Sequence, residues 1–207
     1  METEEEQVEQ LKAWLKENGL SIALGIIIGV GGIGGYNYWN HVQETTAAEA
    51  SSHFTKMIEA LDAGNHETVQ TRADTLINDY ASTDYALMAQ LALAKSHVDK
   101  GEFEQAEQAL QQVVGSAGQE PLAYVARTRL AALQIQNGNV EQALGTLNAE
   151  FPDEFSARVD ELRGDAYASQ GELSQALAAY RNAQSAKISA ADPAFLIQKI
   201  DDLGVQD

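Results

Sequence analysis

The chain has 207 residues, 44% of them hydrophobic, with three prolines, no cysteine, and 31 acidic against 13 basic residues for a formal net charge of -18. That length holds one ordinary domain plus an appendage, and the missing cysteines exclude disulfides, thiolate metal sites and cysteine nucleophiles. The charge argues against nucleic acid and anionic lipid surfaces as partners, because both need Lys and Arg against phosphate. Ala, Gln, Leu and Glu recur throughout, which favours an all-α fold.

The opening "METEEEQVEQLKAWLKENG" places Val8, Leu11 and Leu15 at helical spacing and ends at Asn18-Gly19, a helix-stop pair. It reads either as a short amphipathic helix or as a solvated acidic tail. From Asn18 to Gln43 no residue carries a full charge, and Leu20 to Tyr36 is almost wholly apolar or Gly. About 20 helical residues cover the roughly 30 Å hydrocarbon core of a bilayer, so the stretch fits one crossing. Tyr36, Tyr38 and Trp39 stand where an aromatic belt meets the headgroups, and Trp14 suits the opposite interface.

A cleaved signal peptide fits less well: six Glu precede the run against Lys12 and Lys16, and its end is bulky rather than small. A buried soluble helix would need a polar face, which the segment lacks. The expectation is a retained anchor over residues 19–40, a cytoplasmic tail over 1–18 and a domain over 41–207 across the membrane. Lys12 and Lys16 on one side, against Lys56 on the other, supply the positive-inside bias for that orientation. Gly25 with Gly29, and Gly31 with Gly35, form GxxxG pairs that permit close helix packing, although Gly is common in membrane helices in any case.

Behind the anchor, Thr46 and Glu49 make a T-x-x-E capping box, predicting the start of a helix that contains Phe54, Met57, Ile58 and Leu61. A repeat follows: "GNHETV" at Gly64, "GEFEQA" at Gly101, "GNVEQA" at Gly138 and "GELSQA" at Gly171. Helical apolar patterns run into and out of each glycine, such as Leu87, Leu91, Ala94 and Val98, then Phe103, Ala106, Leu110 and Val113. Each Gly therefore ends one helix of an antiparallel pair, and the small residue five positions on admits the second helix closely. Gly164, Tyr167, Gly171, Ala176, Tyr180 and Ala183 match the tetratricopeptide (TPR) spacing G-x2-Y-x3-G-x4-A-x3-Y-x2-A. The copy at Gly64 departs from it, with Val69 where the small Ala belongs.

Linkers "NDYASTDY", "AGQEP" and "FPDEF" separate the copies, and "DPAFLIQKIDDL" offers Asp192 as N-cap and Pro193 at the first helical position of a closing helix. Phe195, Leu196, Ile200 and Leu203 would lay that helix over the last repeat. The expected fold is all-α: one N-terminal transmembrane helix, then a TPR-like right-handed solenoid of helical hairpins with a C-terminal capping helix.

No catalytic pattern accompanies this fold. His41, His53, His66 and His97 lack metal-ligand spacing, Ser51, Ser52 and His53 point different ways on one helix, and the glycine run has no following Lys and Ser or Thr. The acidic pairs Asp160 with Glu161 and Asp201 with Asp202 read as solvated helix faces. No enzyme activity, metal or cofactor is expected.

TPR geometry puts the first helix of each hairpin on the inner wall of the solenoid. For this chain the wall is expected to include Phe54 and Ile58, then Met88, Leu91 and Lys95, then Val125, Thr128 and Arg129, then Arg158 and Leu162. It suits an apolar peptide or a partner helix better than an acidic tail. The competing reading is that several of these residues fill the core between helices.

The opening "VEQLKAWLKENG", the span ending in "YNYWN" and the "GEFEQA" repeat together resemble the YfgM family of Gram-negative bacteria, ancillary subunits of the SecYEG translocon. Membership implies an inner-membrane protein with its N-terminus cytoplasmic and its repeat domain periplasmic. It also implies partnership with the translocon and with PpiD, a membrane-anchored periplasmic chaperone, and a part in passing nascent secreted polypeptides to periplasmic chaperones. The family's cytoplasmic tail is linked to restraint of a response regulator in envelope stress. The resulting expectation is a non-enzymatic adaptor beside the secretion channel. Its rivals are a holdase that grips unfolded chains itself and a negative regulator acting through the tail.

Overall fold

The computed structural model describes residues 4–116, 121–186 and 193–204. Among them every regular element is helical: α1 (Glu4–Asp62), α2 (His66–Asp79), α3 (Asp84–Asp99), α4 (Phe103–Ser116), α5 (Pro121–Gln136), α6 (Val140–Leu147), α7 (Ser156–Ser169), α8 (Leu173–Ser185) and α9 (Pro193–Asp202), with a 3-10 turn at Asp153–Phe155. The chain divides into two compact units, Met1–Glu49 and Ala50–Asp207.

In the second unit the helices pair in chain order through one repeated turn. Gly64, Gly101, Gly138 and Gly171 all have positive φ, from 69° to 77°. At each, the residue after the glycine donates its N–H to a carbonyl five positions back: Asn65 to Ala60, Glu102 to His97, Asn139 to Gln134 and Glu172 to Tyr167, at 2.8 to 2.9 Å. This is the Schellman arrangement, which satisfies orphan carbonyls at a helix end and needs a left-handed residue that glycine supplies without Cβ strain.

Five positions beyond these glycines stand Val69, Ala106, Ala143 and Ala176, all completely buried. Small side chains there let paired helices approach. Val69 is the exception in size, and it is absorbed by packing with Met57, Ala73 and Leu76 in one apolar cluster. The first hairpin therefore has the turn and the buried contact of the others.

The core runs as successive clusters rather than one centre. Ala50, Met57, Val69 and Leu76 are joined by Ala89 and Ala92 of α3. Leu91, Leu110, Val113, Leu130 and Leu133 tie α3 and α4 to α5. Ala131, Ala143, Leu147, Val159 and Leu162 tie α5 and α6 to α7. Ala176, Tyr180, Ala183 and Leu196 seat α9 on α8. Each layer touches mainly its neighbours, as in a solenoid.

Two expected helix boundaries are absent. Thr46 and Glu49 lie inside α1 and start nothing, and Asn18-Gly19 likewise stops nothing. From Tyr36 to Asp62 the chain has neither Gly nor Pro, so nothing interrupts propagation, and a T-x-x-E pattern within a helix is an ordinary i, i+3 pair. Pro193 does open α9, while Asp192 lies outside the described residues.

Within α1, Glu6–Ser21 and Ala23–Asp62 meet at a bend of 45°. Among the described residues no single helix is long and apolar enough to cross a membrane, whereas these two parts meet that requirement together, by length and composition. The bend parts Leu20 from the run, and what remains ends in Asn37 and Asn40. Leu20, Leu24, Ile26, Ile27 and Ile28 are exposed, as are Val30, Ile33, Tyr36, Tyr38 and Trp39.

Candidate partner-binding groove

The second unit contains a cavity of about 800 Å³ walled by the first helices of successive hairpins. From α1 come Phe54, Ile58 and Leu61; from α3, Met88, Leu91, Lys95 and Val98; from α5, Val125, Thr128, Arg129 and Ala132; and from α7, Arg158. The spacing of three or four along each helix puts these residues on one face. Phe54 is braced by Tyr85, with ring centroids 5.7 Å apart. Nine of the ten residues anticipated for the inner wall thus line a single cavity.

Leu162 does not. It is 2% exposed and packs with Ala131, Leu147 and Val159, so it belongs to the core and not to the wall. Leu91 and Thr128 line the cavity while being largely buried themselves, and Phe54, Ile58, Met88 and Val125 are half-buried. Leu61, Val98 and Ala132 continue the helical stripes and were legible by the same spacing. Leu110 was not, since it comes from α4, the second helix of its hairpin, yet reaches the cavity.

Among the described residues the charged groups of the groove are all cations, beside the neutral Thr128 and Gln136. Lys95 Nζ bonds Asp99 one turn on, at 2.6 and 2.7 Å, and Arg158 Nη1 bonds Glu161 Oε2 at 2.8 Å. The Thr128 hydroxyl donates to the Val125 carbonyl at 3.0 Å. Arg129 is exposed, with no hydrogen bond or ion pair among the described residues. Among the described residues no Asp or Glu lines the cavity.

Elsewhere the polar clusters have structural work. A smaller cavity of about 460 Å³ is lined by His66, Glu67, Gln70, Thr71, Ser96, His97 and Lys100. There His66 Nδ1 lies 2.7 Å from Ser96 Oγ, and His97 Nδ1 lies 2.7 Å from Glu102 Oε2. Hydrogen bonds from Lys100 and then His97 hold the Glu102 carboxyl below its ordinary range. His53, adjacent to Ser51 and Ser52, is engaged by Arg72 at 3.1 Å and stacks near Tyr80. Asp160 pairs with Arg163, Glu161 with Arg158 and Lys199, and Asp201 and Asp202 are exposed. Among the described residues no group of three His, Cys, Asp or Glu is placed to hold a metal ion.

In the first unit a Cβ added at Gly25, Gly29, Gly31 or Gly35 would meet nothing within 4 Å, so the helix there is open to a neighbour.

Comparison with known proteins bears on both units. Residues 12–205 match the family described as tetratricopeptide repeat-like domain. The chain is 33% identical over 204 residues to the ancillary SecYEG translocon subunit of Escherichia coli K12, covering 99% of this chain and 98% of that one. The chain belongs to this family. The ancillary SecYEG translocon subunit of Haemophilus influenzae is 33% identical over 181 residues, 87% of this chain and 88% of the relative. That of Neisseria gonorrhoeae is 23% identical over 181 residues, 87% of each. Family likeness thus extends through the N-terminal unit and the helical hairpins alike.

Proposed function

We propose that this protein is a non-enzymatic, membrane-tethered adaptor at the SecYEG translocon. Residues 1–18 form its cytoplasmic tail, 19–40 cross the bacterial inner membrane, and 41–207 stand in the periplasm. Its repeat domain engages the chaperone PpiD and nascent secreted polypeptides, helping to pass them onward. By confining the repeat surface near the channel exit, the anchor raises its effective concentration for those partners.

The observation that carries this reading is the apolar groove, assembled from α1, α3, α5 and α7, whose described lining holds no catalytic constellation. Two others support it. The run of exposed apolar side chains from Leu20 to Trp39 has no cover in the structure and suits hydrocarbon better than water. The relatives bear the name of translocon subunits.

The test is purification of the full-length protein from membranes in mild detergent, beside a variant whose residues 19–40 are replaced by an unrelated span. Channel subunits and the chaperone should accompany the natural protein, and the variant should lose the channel. Absence of both, even after crosslinking in cells, would sink the adaptor reading.

A further inference from the structure

If the groove is the partner site, three of its features restrict what enters it. The first is charge. The chain has 31 acidic residues against 13 basic, yet among the described residues no Asp or Glu lines the groove, while Lys95, Arg129 and Arg158 project from three successive wall helices. Lys95 and Arg158 are partly countered by Asp99 and Glu161, and Arg129 has no counter-charge among the described residues. The groove thus has the opposite sign to the chain as a whole, and local field rather than net charge selects an occupant.

The second is the backbone of the walls. They are helices, with N–H and C=O groups already paired within each helix, so they offer no strand edge for an extended peptide to join. The Thr128 hydroxyl is engaged by Val125. An extended occupant would bring unpaired amides into an apolar cleft, whereas a helix satisfies its own. The third is size. A cavity of about 800 Å³ takes the side chains of one helix face, not a folded domain.

We infer that the groove receives an amphipathic helix whose apolar stripe is flanked by Asp or Glu, the acidic edge lying against Lys95, Arg129 and Arg158. A helix of the same stripe flanked by Lys or Arg is rejected.

The experiment uses the full-length protein in nanodiscs of zwitterionic lipid, with empty discs as control, and fluorescence anisotropy of three labelled peptides. All share one leucine stripe. One is Glu-flanked, one Lys-flanked, and one Glu-flanked with a central proline. The Glu peptide should bind at least about tenfold more tightly than the other two, and Arg129→Glu, at an exposed position, should erase most of the preference over Lys. Nonspecific attraction to a chain of charge -18 would favour the Lys peptide, so the expected order runs against the background. Equal binding of Glu and Lys peptides, abolished in both by Met88→Glu, would overturn the charge selection and leave the groove reading standing. Undiminished binding of the proline peptide would overturn the helical occupant. Failure of all three to bind would remove the groove itself as the partner site.

Discussion

Lys199 Nζ lies 2.6 and 2.8 Å from the two carboxylate oxygens of Asp165, 34 positions earlier in the chain. The same ammonium bonds Glu161 Oε1 at 2.8 Å, while Arg158, a groove residue, takes the other oxygen of Glu161. The Tyr180 hydroxyl donates to Asp165 Oδ1 at 2.8 Å, and the closing helix α9 is thereby tied to α7 and α8 by charge as well as by Leu196.

Glu161 is only 3% exposed, so removing a cation from it leaves a buried charge short of compensation. Lys199→Met is expected to cost about 2–4 kcal/mol of unfolding free energy in urea titrations. Adding Glu161→Gln and Asp165→Asn should recover part of that loss. A single variant as stable as the natural protein would mean that apolar contact alone seats α9.

The pH response follows from the same cluster. Burial pushes the Glu161 carboxyl up most strongly, but hydrogen bonds from Lys199 and Arg158, with their charges, outweigh it and leave the group below its ordinary 4.5. The unfolded chain then binds the proton more readily than the folded one. This contribution to stability is complete above about pH 4.5 and is lost as pH falls through the lowered folded value. Urea midpoints should accordingly drop on acidification, and Glu161→Gln should flatten the drop. An unchanged slope in that variant would assign acid sensitivity to other groups.

Gly164 is tested by a methyl group. A Cβ there would stand 2.3 Å from Tyr180 Cε1, and that ring, 3% exposed, has its hydroxyl bound to Asp165. Gly164→Ala should destabilise by about 1–3 kcal/mol through overpacking. In a Tyr180→Leu background the penalty should shrink, a coupling that a double-mutant cycle measures. Additivity would show that the two sites do not press on each other.

The same substitution has opposite signs at two other glycines. Gly138 has φ of +77°, so Gly138→Ala should cost about 1 kcal/mol. Gly145 is inside α6 with nothing within 4 Å of an added Cβ, so Gly145→Ala should add about 0.5–1 kcal/mol. Thermal midpoints of the pair decide this, and a shift in the same direction for both would refute it.

Met88→Glu places a carboxylate in a lining that has none among the described residues. Crosslinking to the chaperone should fall by roughly tenfold, with the thermal midpoint and the channel contact made through residues 19–40 nearly unchanged. Retained crosslinking in a folded variant would move the partner surface elsewhere.

Much of this was readable from residue types because the signals are local. Helical spacing, the glycines at the hairpin turns and the buried small residues after them depend on neighbours within a few positions, and so do the stripes that bring Phe54, Met88 and Val125 onto wall faces. Boundaries were less legible. The Thr46–Glu49 box is equally at home inside a helix, and only the lack of a breaker lets α1 run through it.

By itself, the chain's order of residues determined an all-α repeat with an uncharged N-terminal segment and a closing helix, since propensity and periodicity suffice for that. Tertiary structure alone decided that Leu162 is core while Leu110 reaches the groove, and that Lys199 meets Asp165 and Glu161. Those relations join helices far apart in sequence, and the superposition of layers, which no local pattern encodes, sets which side chains face each other.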